Sequence, residues 1–113
     1  MDAILSMLGL AQKAGRIASG EFATEKAVRS GRANLILLTE DASANTQKKI
    51  TDMAAYYELP LIIYGNKADV GRSIGKGERS MLAVLDAGFA ASLEKKWKAF
   101  RTLQAEERSD TGR

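Results

Sequence analysis

At 113 residues the chain has room for one domain around one core, and its 45% hydrophobic and 27% charged residues are ordinary for a globular fold. It contains neither cysteine nor histidine, which excludes disulfides, thiolate catalysis and Cys/His metal sites and removes the commonest general base. Seventeen Lys and Arg against 14 Asp and Glu leave a net +3, a mild bias towards polyanionic partners.

The opening Met1 to Leu5 carries an acid, Asp2, where a signal peptide has a basic stretch. The longest apolar runs, such as Leu35 to Leu38, fall far short of a membrane span. A cytoplasmic protein with no membrane partner is expected.

In chain order, Ile4, Leu5, Met7, Leu8 and Ala11 form a helical stripe over Ile4 to Ala14, closed by Gly15. Ile17 to Ser19 is long enough only for an extended link. Ser19-Gly20 then heads a second helix from Glu21 to Arg29, closed by Gly31. Asn34 to Thr39 is apolar without alternation, as in a strand covered on both faces. Ser43 or Asn45 caps a third helix reaching Tyr56, with Ile50, Met53, Ala54 and Tyr57 as its apolar face. A strand at Leu61 to Tyr64, a short helix at Ala68 to Ile74, an exposed loop at Gly75 to Arg79, a strand at Ser80 to Leu85 and a helix from Ala87 to about Leu103 complete the order. Strands alternating with helices predict an α/β fold: a single-domain, three-layer α/β/α sandwich with a small mixed sheet flanked by helices. The domain is expected over residues 1–103, with a flexible polar tail over 104–113.

Four patterns carry possible chemistry. Asn66-Lys67-Ala68-Asp69 matches the NKxD element by which GTPases read guanine, but no phosphate-binding P-loop precedes it; it reads as a helix-opening turn. Glu40-Asp41 ends a strand, yet adjacent residues of an extended chain diverge, and an acidic start suits the dipole of the helix that follows. The segment Gly71 to Arg79 sets basic residues among glycines, so that backbone and cations can approach phosphates. Between Lys13 and Arg32, finally, five basic residues (Lys13, Arg16, Lys26, Arg29, Arg32) stand against two acids. Lys26 and Arg29 share a helix face with Phe22. The helix N-terminus at Gly20 and Glu21 offers free N–H groups to phosphates or base-edge acceptors. In the last helix, Leu93, Trp97 and Phe100 are spaced to pack on the sheet while the lysines stay wet.

Together the segments Gly9 to Gly15, Ser19-Gly20 with Lys26, Leu35 to Ser43 and Gly71 to Lys76 resemble the L-seven-Ae and L-thirty-e superfamily of kink-turn-binding ribosomal proteins and, within it, the small bacterial branch of YlxQ type. The resemblance covers about residues 3 to 100. It implies an α/β/α sandwich without enzymatic activity, cofactor or metal. In that family the head of the second helix docks on tandem sheared G·A pairs where the RNA bends, and a loop before the last strand covers the bulged nucleotides. Carried over, the helix pattern falls on Gly20, Glu21, Phe22, Ala23 and Lys26, with Arg29 one turn further. Phe22 and Ala23 stand where ribosomal members have Asn and Glu, and neither offers a polar group to a base edge. What remains is the backbone, Lys26 and stacking by Phe22. The covering loop falls on Lys76, Gly77, Glu78, Arg79, Ser80 and Met81. It is more charged than is usual in the family, which implies more phosphate contact. The expected function is ribosome-associated, non-enzymatic binding of kink-turn or similarly bent structured RNA, ribosomal RNA included, by a monomer with no DNA partner. Lys26, Arg29 and Arg79 would grip the backbone where Gly20 and Gly77 allow close approach. The alternative is a protein-interaction module of the translation or transcription machinery that has lost kink-turn recognition, with Phe22 meeting a protein partner.

Overall fold

The computed structural model describes residues 2–111. Helices α1 (Ala3–Lys13), α2 (Glu21–Arg29), α3 (Ala44–Tyr56), α4 (Lys67–Ser73) and α5 (Ala87–Thr111) surround strands β1 (Ile17–Ser19), β2 (Leu35–Leu38), β3 (Leu61–Ile63) and β4 (Met81–Val84). The strand order is β1-β4-β2-β3. β2 and β3 are parallel, as the intervening helix α3 requires, whereas β4 runs antiparallel to both β1 and β2. The sheet is therefore mixed, as expected.

The unbroken apolar character of β2 and β4 follows from burial on both faces. Leu35, Leu37, Leu82 and Val84 pack with Ile4 and Leu8 of α1, Val70 of α4 and Leu93 of α5. Ile36, Leu38, Met81 and Ala83 pack on the opposite face with Ala27 and Val28 of α2 and Ile50 and Ala54 of α3. Ser43 is the cap of α3, its hydroxyl accepting the Thr46 N–H at 3.2 Å. Tyr57, expected on the apolar face of that helix, is instead 39% exposed at its C-terminal cap.

Three expectations need correction. Ile17 to Ser19 is a strand rather than a link: Ile17 pairs with Val84 and Ser19 with Leu82, which carries the chain to Gly20 beside the start of β4. Helix α5 continues past Leu103 to Thr111, because Gln104, Ala105, Glu106 and Glu107 are good helix formers and no Gly or Pro intervenes before Gly112. Asp41 does not serve α3. Its carboxylate accepts the Lys67 N–H at 3.0 Å and so caps the first turn of α4 from outside.

Candidate functional site

Gly20 sets the head of α2. Its φ of 93° and ψ of 167° lie where essentially only glycine goes. Its N–H donates to the Met81 carbonyl at 3.0 Å, and its own carbonyl accepts the Thr24 N–H at 3.0 Å. No side chain caps the helix, so the first-turn N–H groups of Glu21, Phe22 and Ala23 have no intrahelical acceptor and point out of the helix end.

Across from that end lies the loop between α4 and β4. Gly71 lies within α4, and a Cβ there would stand 1.9 Å from the Gly77 carbonyl oxygen, so the loop backbone lies directly on the helix. The Lys76 N–H donates to the Gly71 carbonyl at 2.8 Å and the Arg79 N–H to the Lys67 carbonyl at 3.1 Å. The Arg79 guanidinium donates to Ser19 Oγ at 3.2 Å and to the Glu78 carbonyl at 2.9 Å. Two segments some 60 residues apart in the chain are thus joined. Between them runs a groove of about 450 Å³ lined by Ser19 to Ala23 and by Glu78, Arg79 and Ser80. Lys76, Gly77 and Glu78 are exposed, and of these three Glu78 lines the groove.

A second groove, of about 730 Å³, continues along the outer face of α2 past Phe22, Lys26 and Arg29. Phe22 is 81% exposed. Arg29 is less free than its sequence suggested, because its guanidinium bonds Glu25 at 3.1 Å. From α3, Lys49 reaches both Glu21 and Glu25 at 2.8 Å. The hydrogen bond and charge of Lys49 hold the Glu21 carboxyl below the usual carboxylate range, and the two carboxylates raise the Lys49 ammonium in return. Lys26 is exposed and forms no ion pair among the described residues.

Of the twelve residues expected at the site, Met81 is placed elsewhere. Its side chain is 1% exposed, in the core with Ile36, Leu38 and Ala83, and only its carbonyl serves the site, through Gly20. The basic run between Lys13 and Arg32 does not form one patch either. Lys13 lines a groove between α1 and α4 with Leu10 and Arg72. Arg16 lies at the far end of β4 from Gly20, its carbonyl accepting the Leu85 N–H, and Arg32 follows the C-terminus of α2, its N–H donating to the Ala27 carbonyl. Lys49 and Glu25 were not found from sequence, since their partnership spans two helices and leaves no local pattern. The NKxD match resolves into a helix start: Asn66 Oδ1 accepts the Asp69 N–H at 2.8 Å, and Asp69 pairs with Arg72 at 2.9 Å. Among the described residues no three carboxylates converge to hold a metal ion, and no helix is long and apolar enough to cross a membrane.

A family model for the ribosomal protein L7Ae/L30e/S12e/Gadd45 family matches residues 2–94. The RNA-binding protein YlxQ of Bacillus subtilis is 51% identical over 87 residues, which are 77% of this chain and 87% of that protein. The large ribosomal subunit protein eL30B of Schizosaccharomyces pombe is 37% identical, over 77% of this chain and 76% of its own length. The solved structure of a Bacillus halodurans C protein of unknown function superposes with a TM-score of 0.84 at 39% identity, covering 87% of this chain and 99% of that one.

Proposed function

The chain belongs to the ribosomal protein L7Ae/L30e/S12e/Gadd45 family, and from that premise we propose that it is a non-enzymatic RNA-binding protein that recognises kink-turn or similarly bent structured RNA in a ribosome-associated setting. The observation that carries the proposal is the joining of an uncapped helix head to a basic loop across one groove. A phosphate seated at the head of α2 meets backbone N–H groups and the positive end of the helix dipole. Arg79 on the loop side and Lys26 on the helix side supply charge that tracks the strand on either flank. Phe22, exposed between them, offers a face on which an unstacked base can lie. With Phe22 and Ala23 in place of polar readers, recognition falls to shape, because only a sharply bent strand brings phosphates to both sides of the groove at once.

The test is binding to a short kink-turn RNA against the same RNA with its G·A pairs converted to Watson–Crick pairs, each across a salt series. Preference for the bent RNA is expected, with affinity falling steeply as salt rises. Equal, salt-sensitive binding to both would leave general RNA binding without kink recognition. The exposure of Phe22 favours one second reading, a protein partner docked on the α2 face. Absence of RNA binding together with a salt-insensitive protein contact would establish that reading instead.

A further inference from the structure

The outer face of α2 holds two carboxylates, Glu21 and Glu25, one helical turn apart, with Glu21 in the first turn at the helix head. Like charges at that spacing repel each other and any polyanion that approaches. We infer that Lys49 of α3 is a positioning residue for this face: it ties down and neutralises Glu21 and Glu25 so that an RNA strand can reach the head of α2, without itself gripping the strand. The inference rests on the RNA-binding reading above and adds to it a residue outside the motif that reading uses.

The geometry is specific. Lys49 Nζ lies 2.8 Å from one oxygen of Glu21 and 2.8 Å from one oxygen of Glu25. Arg29 takes the other oxygen of Glu25 at 3.1 Å. Two cations and two anions therefore balance, leaving Lys26 as the surplus charge on the groove. Remove Lys49 and the four-membered set becomes net negative. The Glu21 side chain, 57% exposed, then sits unpaired in the first turn, where a phosphate is to bind and well within one Debye length of it. Two of the three donors of the Lys49 ammonium are already spent on carboxylates, which argues for neutralisation over direct contact. The lowered Glu21 and raised Lys49 titrations follow from the same bonds.

Lys49→Met, Glu21→Gln and the double variant separate the two roles in binding to the kink-turn RNA. Lys49→Met is expected to weaken binding about threefold at low salt, with part of the loss persisting as salt rises. The slope of log affinity against log salt should change by much less than one. Adding Glu21→Gln to Lys49→Met restores the charge balance and should recover most of the loss, and Lys49→Arg should bind as the wild type does. In the free protein, an NMR titration should show the Glu21 carboxyl moving up towards the ordinary glutamate range in Lys49→Met, a readout that needs no RNA. Thermal melts of each variant separate loss of binding from loss of fold. A slope reduced by about one with no rescue by Glu21→Gln would make Lys49 a phosphate contact and overturn the inference. Wild-type affinity in Lys49→Met would overturn it as well. If the wild-type protein binds neither RNA, the functional reading itself fails and this inference falls with it.

Discussion

Replacing Gly71 by alanine sets two effects of opposite sign against each other. Gly71 lies inside α4, where exchange for alanine on propensity alone would stabilise by about 1 kcal/mol. Packing opposes this. The new Cβ would stand 1.9 Å from the Gly77 carbonyl oxygen, 2.7 Å from its carbon and 3.2 Å from Glu78 Cα. All three are backbone atoms, so no side chain can swing aside and the loop must retreat by roughly 1 Å. That retreat opens the Lys76–Gly71 bond of 2.8 Å and pulls on the Arg79–Lys67 bond of 3.1 Å. Overpacking of this kind costs about 1–3 kcal/mol, and each lost hydrogen bond about 1 kcal/mol more. The net is a destabilisation of about 1–4 kcal/mol, or about 4–15 °C in Tm for a domain of this size. Arg79 would also be drawn from Ser19, so RNA affinity should fall in the fraction that remains folded. Thermal melts followed by circular dichroism, with RNA titration below the transition, measure both. Gly9→Ala is the control: its Cβ would meet the Ser73 carbonyl at 3.1 Å, a far milder approach, and it should cost much less. A Gly71→Ala protein as stable as the wild type would refute the reasoning, since propensity would then have outweighed a contact that leaves no room.

Gly20→Ala forces a side chain into a glycine-only conformation although the space around it is open. It should cost about 1–3 kcal/mol and weaken RNA binding even at temperatures where the protein is fully folded; a melt unchanged from wild type would contradict this. Lys26→Ala should reduce affinity about three- to tenfold for every RNA sequence and lower the salt slope by about one, and an unchanged titration would remove α2 from the interface. The Tyr64 hydroxyl is bonded to Asp2, and burial first, then that carboxylate, raises its titration. The folded protein therefore keeps a proton that the unfolded chain gives up near the ordinary tyrosine value of about 10. This contribution to stability is complete below about pH 10 and is lost as pH rises above it. Urea midpoints should fall more steeply with alkaline pH in the wild type than in Tyr64→Phe, and parallel declines would sink the assignment.

What sequence shows of this protein is governed by how local each cause is. Strand β2 was legible because a run of four buried residues needs no knowledge of its partners, and α2 because Gly20 and Gly31 bracket it. Strand β1 was not, because three half-buried residues carry no periodicity and become a strand only by pairing with β4, which lies more than sixty residues away. The end of α5 was missed for the opposite reason: beyond Leu103 the helix persists on backbone propensity while its core-facing stripe has ended, so the period used to find helices is absent. The sequence pattern places Met81 in the strand from Ser80 to Leu85, and only the family resemblance sets it in the covering loop; in β4 it is buried. Asp2 shows in sequence only as an acid near the start, yet it is the cap of α1, accepting the Ile4 and Leu5 N–H groups, and the partner of Tyr64.

The two halves of the candidate site depend on main chain more than on side chains. Gly20 is held by the Met81 carbonyl, and the loop is held by the contact of Gly77 with Gly71 and by two bonds to α4 carbonyls. None of these involves the side chains of Phe22 and Ala23, where the family resemblance implies polar base readers. Phe22 and Ala23 can therefore differ without moving the groove, and the distance between helix head and loop is set before any base is read. Side chains then act on what the frame presents. Lys26 and Arg79 add charge on either side, Phe22 adds an apolar face, and the Lys49 bridge keeps two carboxylates from cancelling that charge. Were RNA bound as proposed, a site so divided would tolerate exchange of its base-reading residues, because the frame would match the bend and the bases would meet only what is mounted on it.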